Sequence, residues 1–312
     1  MEYIKNTTDF HIPENTVVSL GKFDGIHRGH GRLLEYLKEK KKTGLKTVIF
    51  TFDIPPGWKL GAKKGKVLTT NEEKVRIFEQ HGIDYLVECP FLPEIMHMEP
   101  EEFVSMLVRQ LHVKCMVVGT DFCFGHNRRG DYRLLLKLAG QYGYEVEVVD
   151  KVQADGRDIS STFVREEILA GRIERANGLL GYYYFVQGTV VHGNEIGRTL
   201  RAPTANLLPP ENKLLPPFGV YVTRTSFLAN PDKKYGGITN VGCKPTIKGR
   251  NPAGVETHLF DFQRQIYGAD IVVEFLASVR PEVKFDSLDE LKRQLQKDIL
   301  FGINYYANVT EL

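Results

Sequence analysis

The sequence predicts an α/β unit built on a parallel sheet, followed by a smaller all-β unit that ends in a helix. Three observations carry that reading. From residue 16 to about 150, short β-branched runs alternate with amphipathic stretches of helical period, the pattern of a parallel sheet covered on both faces. Around Gly181-Tyr-Tyr-Tyr184 the period shortens, and strand-like runs follow with Gly and Pro between them, which suggests a small antiparallel barrel. The length of 312 residues is that of two domains.

Taken in order, Thr16–Leu20, Thr47–Phe52, Asp84–Val87, Cys115–Val118 and Val146–Val149 read as strands. Between them, 31–42, 72–81, 100–111 and 131–142 have the apolar spacing of helices. Thr70 with Glu73 forms a capping-box pattern at the start of the second. Two further helices are expected at 161–170 and 172–180. The barrel strands are Phe185–Val191, Val220–Phe227, Gly237–Val241, Glu256–Phe262 and Ile271–Leu276. A last helix runs from Ser287 to about 307, with apolar residues at 288, 291, 295 and 299. The period change places the domains at 1–182 and 183–312.

An apolar share of 42%, a charged share of 26% and a formal net charge of +2 describe an ordinary globular chain with no long-range basic field. Nucleic acid and acidic membranes are therefore not expected partners, and no obligate protein partner is evident. The basic runs Lys38–Lys42 and Lys63–Lys66 are short and read as a solvated helix end and a solvated loop. Cysteines at 89, 115, 123 and 243 lack metal-type spacing and are too sparse for a secreted disulfide framework, so reduced thiols and a cytoplasmic location are expected. No apolar run approaches the ~18 residues needed to cross a bilayer, and Met1–Asn6 lacks a secretory apolar core. These features exclude a transporter or membrane pump.

Chemistry concentrates first in "SLGKFDGIHRGHGRLL", residues 19–34. Glycines at 21, 25 and 29 stand where a strand becomes a helix, so backbone can approach a ligand and helix N–H groups are free to meet it. His27 and His30, three apart, share a helix face. Zinc binding lacks a third and a fourth ligand. Core histidines do not suit a glycine-rich turn, and contact with a phosphate fits both the imidazoles and the helix start. Asp121 follows an apolar strand, where a functional carboxylate and a plain turn cap are equally at home. Ser160, Ser161 and Thr162 can cap the helix that follows them. Arg165 sits at the positive end of that helix, a position that favours a companion anion.

A second concentration is "GRTLRAPTANL", residues 197–207. On an extended strand Thr204 and Asn206 point to one face, where a hydroxyl and an amide can hold Mg²⁺ and phosphate oxygens. On the spacing alone, a polar turn entering a strand is the better reading. No GxxxxGK[ST] occurs, so a kinase here is not of the P-loop type. Gly193 and Gly197 suggest a flap. In "VETHLFDF" alternation sets Glu256 on one face with His258, Phe260 and Phe262, surroundings that suit a carboxylate taking a proton from an alcohol. A charge at a strand edge is the plainer reading.

The first stretch resembles the HxGH signature of nucleotidyltransferases. More narrowly, "GKFDGIHRGH", "LTTNEEK" at 68–74, "GTDFCFGHNRRGD" at 119–131 and "ISSTFVR" at 159–165 resemble the adenylyltransferase module of the bacterial bifunctional riboflavin kinase/FAD synthetase family. "PTAN", "FGVY" at 218–221, "NVGCKPT" at 240–246 and "VETHLFDF" resemble its kinase module, in the same order. The resemblance spans nearly the whole chain. It implies a Rossmann-like nucleotidyltransferase domain followed by a six-stranded antiparallel β-barrel with a terminal helix. Riboflavin and ATP would give FMN and ADP, and FMN and ATP would then give FAD and pyrophosphate.

By that resemblance His27 and His30 are catalytic, and Gly21, Phe23, Asp24, Gly25, Ser161, Thr162 and Arg165 hold the ATP phosphates. Asp121 and Phe122 face the flavin. Thr204 and Asn206 hold Mg²⁺ and ATP phosphates, and Glu256 is the base on the ribityl 5′-hydroxyl. Two positions depart from the family. Pro55 replaces the usual histidine of an F-x-P-H-P segment, which opens the alternative of a riboflavin kinase with an impaired adenylyltransferase. Arg201 stands where glycine is common. A non-catalytic flavin-binding regulator is the rival of another class, and the full set of Thr204, Asn206 and Glu256 argues against it.

Overall fold

A computed structural model describes residues 1–53, 65–192, 204–243 and 253–308. Pro55, the proposed flap glycines 193 and 197, Arg201 and the end of "NVGCKPT" lie outside the described residues. The chain divides into two compact units, Met1–Ser161 and Thr162–Leu312.

The first unit is a parallel six-stranded sheet. Its strands are β1 (Glu2–Lys5), β2 (Thr16–Leu20), β3 (Lys46–Phe52), β4 (Tyr85–Cys89), β5 (Val113–Gly119) and β6 (Glu145–Val149). Their spatial order is β1-β4-β3-β2-β5-β6, every pair parallel. The connecting helices are α1 (Arg28–Lys41), α2 (Asn71–Gln80), α3 (Pro100–Leu111) and α4 (Tyr132–Tyr142). Every residue of β2 is buried, as a central strand with two covered faces requires. The expected capping box is present: the Thr70 hydroxyl accepts from Glu73 N, and the Glu73 carboxylate accepts from Thr70 N. Strand order reverses at β2, whose chain runs one way to β3 while β5 lies on the other side. That reversal opens a crevice at the carboxyl end of β2, where residues 21–30 fall.

Two helices, α5 (Ser161–Leu169) and α6 (Ile173–Leu180), come next. Division by compactness groups them with the second unit, whereas the period change set the boundary after them. Asn177 on α6 explains the grouping, because its amide donates to Phe275 O at 2.9 Å and accepts from Tyr184 N at 2.7 Å.

The strands of the second unit are β7 (Phe185–Thr189), β8 (Thr204–Leu207), β9 (Gly219–Phe227), β10 (Asn230–Cys243), β11 (Ala253–Leu259) and β12 (Asp270–Pro281). They are antiparallel in the order β7-β12-β9-β10-β11-β8. A bridge from Val191 N to Asn206 O, 2.8 Å long, joins the two ends and closes the barrel. Inward-facing Thr223, Thr239 and Thr257 form a buried hydroxyl chain with links of 2.7 and 2.8 Å. The terminal helix α7 (Leu288–Asn308) covers an outer patch of Val220, Val222, Ile238 and Leu276 with Tyr305 and Tyr306. Buried Asp298 on α7 accepts a forked pair of bonds from Arg280 at 3.0 and 2.7 Å.

Candidate active sites

The first site is the turn between β2 and α1. The backbone there takes left-handed φ values at Phe23 (+47°), Gly25 (+80°) and Ile26 (+22°). A Cβ on Gly25 would lie 2.6 Å from Leu68 Cδ1, so both conformation and space require glycine. Residues 68–69 hold this turn. Asp24 Oδ1 accepts from Leu68 N at 2.7 Å and Thr69 N at 3.2 Å, and Gly25 N donates to Thr69 Oγ1 at 3.0 Å. Ser161 Oγ donates to Asp24 O at 2.7 Å, so this serine also holds the turn.

His27 occupies the N-cap of α1 and His30 lies in its first turn, with ring centroids 3.9 Å apart. Gly29 admits that packing, since a Cβ there would sit 3.1 Å from the His27 ring. Both Nδ1 atoms are enclosed, and neither has a hydrogen-bond partner among the described residues. An enclosed lone pair is less costly than an enclosed N–H, so we assign the ring protons to Nε2. Burial holds the His27 imidazole down to about 4 despite the carboxylates of Asp24 and Asp121. Burial, then His27 and Lys74, hold His30 well below the ordinary imidazole range. Both rings are therefore neutral donors at neutral pH, set at the positive end of a helix.

Asp121 lies past the end of β5 with Lys151 Nζ 3.4 Å from its carboxylate, and Phe122 stacks on Phe124 at 5.5 Å. The turn residues, both histidines, Asp121, Phe122 and Ser161 thus collect at the carboxyl edge of the sheet. Thr162 and Arg165 continue along α5 within the second unit.

The second site lies on the outer face of the barrel. Register pairs Thr204 with His258 and Asn206 with Glu256, and directly opposed residues share a face. Thr204 Oγ1 donates to Glu256 Oε1 at 2.6 Å, which leaves the hydroxyl lone pairs available to a cation. Ala205, Val255 and Thr257 turn the other way and are buried inside. Strand β11 stops at Leu259, and Asp261 takes a left-handed φ of +51°. Phe262 therefore leaves the expected face and stacks on Phe227 at 5.8 Å.

The sequence reading passed over Asn240, which lies across β10 in register with Glu256. The Asn-x-Gly of "NVGC" was its available signal. Among the described residues no three His, Cys, Asp or Glu side chains gather as metal ligands. A cation at Thr204 and Asn206 would thus meet neutral oxygen donors beside one carboxylate. Hard divalent ions accept such a set when substrate phosphates complete it.

Comparison with known proteins follows the same division. A family model described as FAD synthetase matches residues 9–163, and one described as riboflavin kinase matches residues 180–305. Proteins named bifunctional riboflavin kinase/FMN adenylyltransferase are similar along the chain. The Listeria monocytogenes protein is 36% identical over 94% of this chain and 93% of its own, and the Escherichia coli K12 protein 36% over 94% of each. The Bacillus subtilis protein is 33% identical over 94% of this chain and 93% of its own. A crystal structure from Streptococcus pneumoniae, called a macrolide-efflux protein, is 33% identical with a TM-score of 0.83. It covers 97% of this chain and 98% of that one. Among the described residues of this chain, no helix is long and apolar enough to cross a membrane.

Proposed function

The chain belongs to the bifunctional riboflavin kinase/FMN adenylyltransferase family, and we propose that it builds FAD in two steps at two separate sites. In the first step the ribityl 5′-hydroxyl of riboflavin attacks the γ-phosphorus of ATP, giving FMN and ADP. In the second a phosphate oxygen of FMN attacks the α-phosphorus of another ATP, giving FAD and pyrophosphate. Residues 183–312 carry the first reaction and residues 1–182 the second.

The observation that carries the kinase assignment is the 2.6 Å bond from Thr204 to Glu256. It orients the carboxylate as acceptor for the 5′-hydroxyl proton. Thr204 and Asn206 would hold Mg²⁺, which when bound neutralises and aligns phosphate oxygens. In the other unit Nε2–H of His27 and His30, with the backbone of Gly21, Phe23 and Gly25, donates to the polyphosphate. Asp24 fixes the turn, and Ser161 completes the anion site of this unit. Asp121 and Phe122 face the flavin. Catalysis here is positioning plus stabilisation of the departing pyrophosphate. The substrates are small molecules, with no nucleic acid, membrane or obligate partner, and the thiols suit the cytoplasm.

The test is one incubation of the pure chain with riboflavin, ATP and Mg²⁺, with the flavins separated by chromatography. FMN and then FAD should form. Glu256→Gln should slow FMN formation by roughly 10²–10⁴-fold while FAD still forms from supplied FMN. His30→Ala should slow FAD formation by roughly 10²-fold or more and leave FMN formation intact. Equal losses in both steps would refute two separate sites.

A further inference from the structure

The segment "LTTNEEK" has a task beyond clamping the turn. Its last residue, Lys74, lies on the first turns of α2 and is only 8% exposed. A run of aromatic contacts places it. The His27 and His30 rings lie tilted 3.9 Å apart, His30 meets Phe23 at 5.1 Å, and Phe23 meets Phe78 edge-on at 5.5 Å. Phe78 is four residues beyond Lys74 and so shares its face of α2. The Lys74 charge is accordingly felt by His30, and those of Asp24 and Glu88 are felt by Lys74.

This ammonium is poorly served where it lies. Of three N–H donors, the hydrogen bond found among the described residues is a 3.5 Å contact to Asn71 Oδ1. A cation near a helix N-terminus is also unfavourable in itself. Burial draws Lys74 below the ordinary lysine range, and the two carboxylates only partly offset this. Asp24 Oδ1 is committed to Leu68 N and Thr69 N, and burial favours the neutral form of Glu88. A buried amine with unfilled donors beside two neutral imidazoles is suited to an anion that brings its own charge.

We propose that Lys74 is a phosphate-binding residue of the adenylyl-transfer site, contacting the pyrophosphate portion of ATP beside His30. The inference rests on the reading of His27 and His30 as phosphate donors. It supplies the positive charge that two neutral rings lack, since pyrophosphate gains negative charge as it leaves.

The probe is inorganic pyrophosphate, titrated calorimetrically into the full chain and varied as substrate in the reverse reaction with FAD. Lys74→Met should weaken pyrophosphate binding at least tenfold and raise its KM by a similar factor, with the affinity for FMN and kinase turnover unchanged. Lys74→Arg should restore most of the loss. A purely structural lysine would instead lower the melting temperature with no selective effect on pyrophosphate. If Lys74→Met binds pyrophosphate normally while His30→Ala does not, the inference fails and the site reading stands. If neither variant weakens binding, the site reading falls and takes the inference with it. On the unsubstituted chain, where folding is not in question, pyrophosphate should protect Lys74 from acetylation by acetic anhydride, read by peptide mass spectrometry. Equal labelling with and without pyrophosphate would overturn the proposal.

Discussion

Acidification is the perturbation that tests the first site most directly. In the folded chain the His27 imidazole titrates at about 4, against about 6.5 once unfolded. Between those values the unfolded chain binds a proton that the folded chain refuses, so acid favours unfolding. The contribution of His27 is fully present above about pH 6.5, declines as pH falls, and is exhausted near pH 4. A separation of about 2.5 pH units, at about 1.36 kcal/mol per unit, amounts to roughly 3 kcal/mol. Little of this is lost to solvent screening, because the residue is only 7% exposed. His30 acts in the same direction. Urea unfolding of the unsubstituted chain at pH 7 and pH 4.5 should show most of this loss, and His27→Gln should be spared about 2–3 kcal/mol of it. The His27 ring resonances should not titrate above pH 5 in the free protein. Titration near 6.5, or an unchanged acid dependence in His27→Gln, would refute the reading of neutral, enclosed imidazoles.

Two other substitutions test the supports of each site. Gly25→Ala forces a Cβ into a left-handed φ and against buried Leu68, at a cost of about 2–4 kcal/mol. It should lower adenylyl transfer while leaving the kinase rate unchanged, and wild-type FAD formation would contradict the tight-turn argument. Asp298→Ala strips half-buried Arg280 of its forked acceptor and should cost about 2–3 kcal/mol. Scanning calorimetry should find the barrel transition lowered by roughly 10 °C, and a shift of a degree or less would mean that the pair does not secure α7.

Most of the fold was legible because its signals are local. The capping box at Thr70 and the β-branched run of β2 depend on neighbours in sequence alone. Strand β1, Glu-Tyr-Ile-Lys, was not, since a short edge strand with charged ends shows no periodicity to read. Strand β10 reaches back to Asn230 through the polar Asn-Pro-Asp-Lys stretch, where cross-strand pairing outweighs weak propensity. The candidate sites divide in the same way. His27, His30, Thr204 and Asn206 stand in compact motifs. That Thr69, Asp24 and Ser161 hold a single turn is a matter of tertiary hydrogen bonds. Lys74 sits in "NEEK", a string that reads as solvated helix surface until tertiary packing leaves it 8% exposed. Alternation sets Thr204 with Asn206, and Glu256 with His258, but cannot say that the two strands pair or that the shared face is outward, because α7 buries part of the outer wall as well.

The two proposed sites differ as their reactions require. In the kinase step the nucleophile is an alcohol, which must lose a proton to attack, so a carboxylate held by Thr204 is needed at the reacting atom. In the adenylyl step the nucleophile is a phosphate already ionised at neutral pH, and a base there would add nothing. What that step needs is stabilisation that grows as pyrophosphate departs and does not trap the product. Neutral Nε2–H donors, with the cation proposed at Lys74, stabilise the charge that builds on the leaving group. The burial that keeps His27 and His30 uncharged at neutral pH is the same effect that makes the folded chain sensitive to acid.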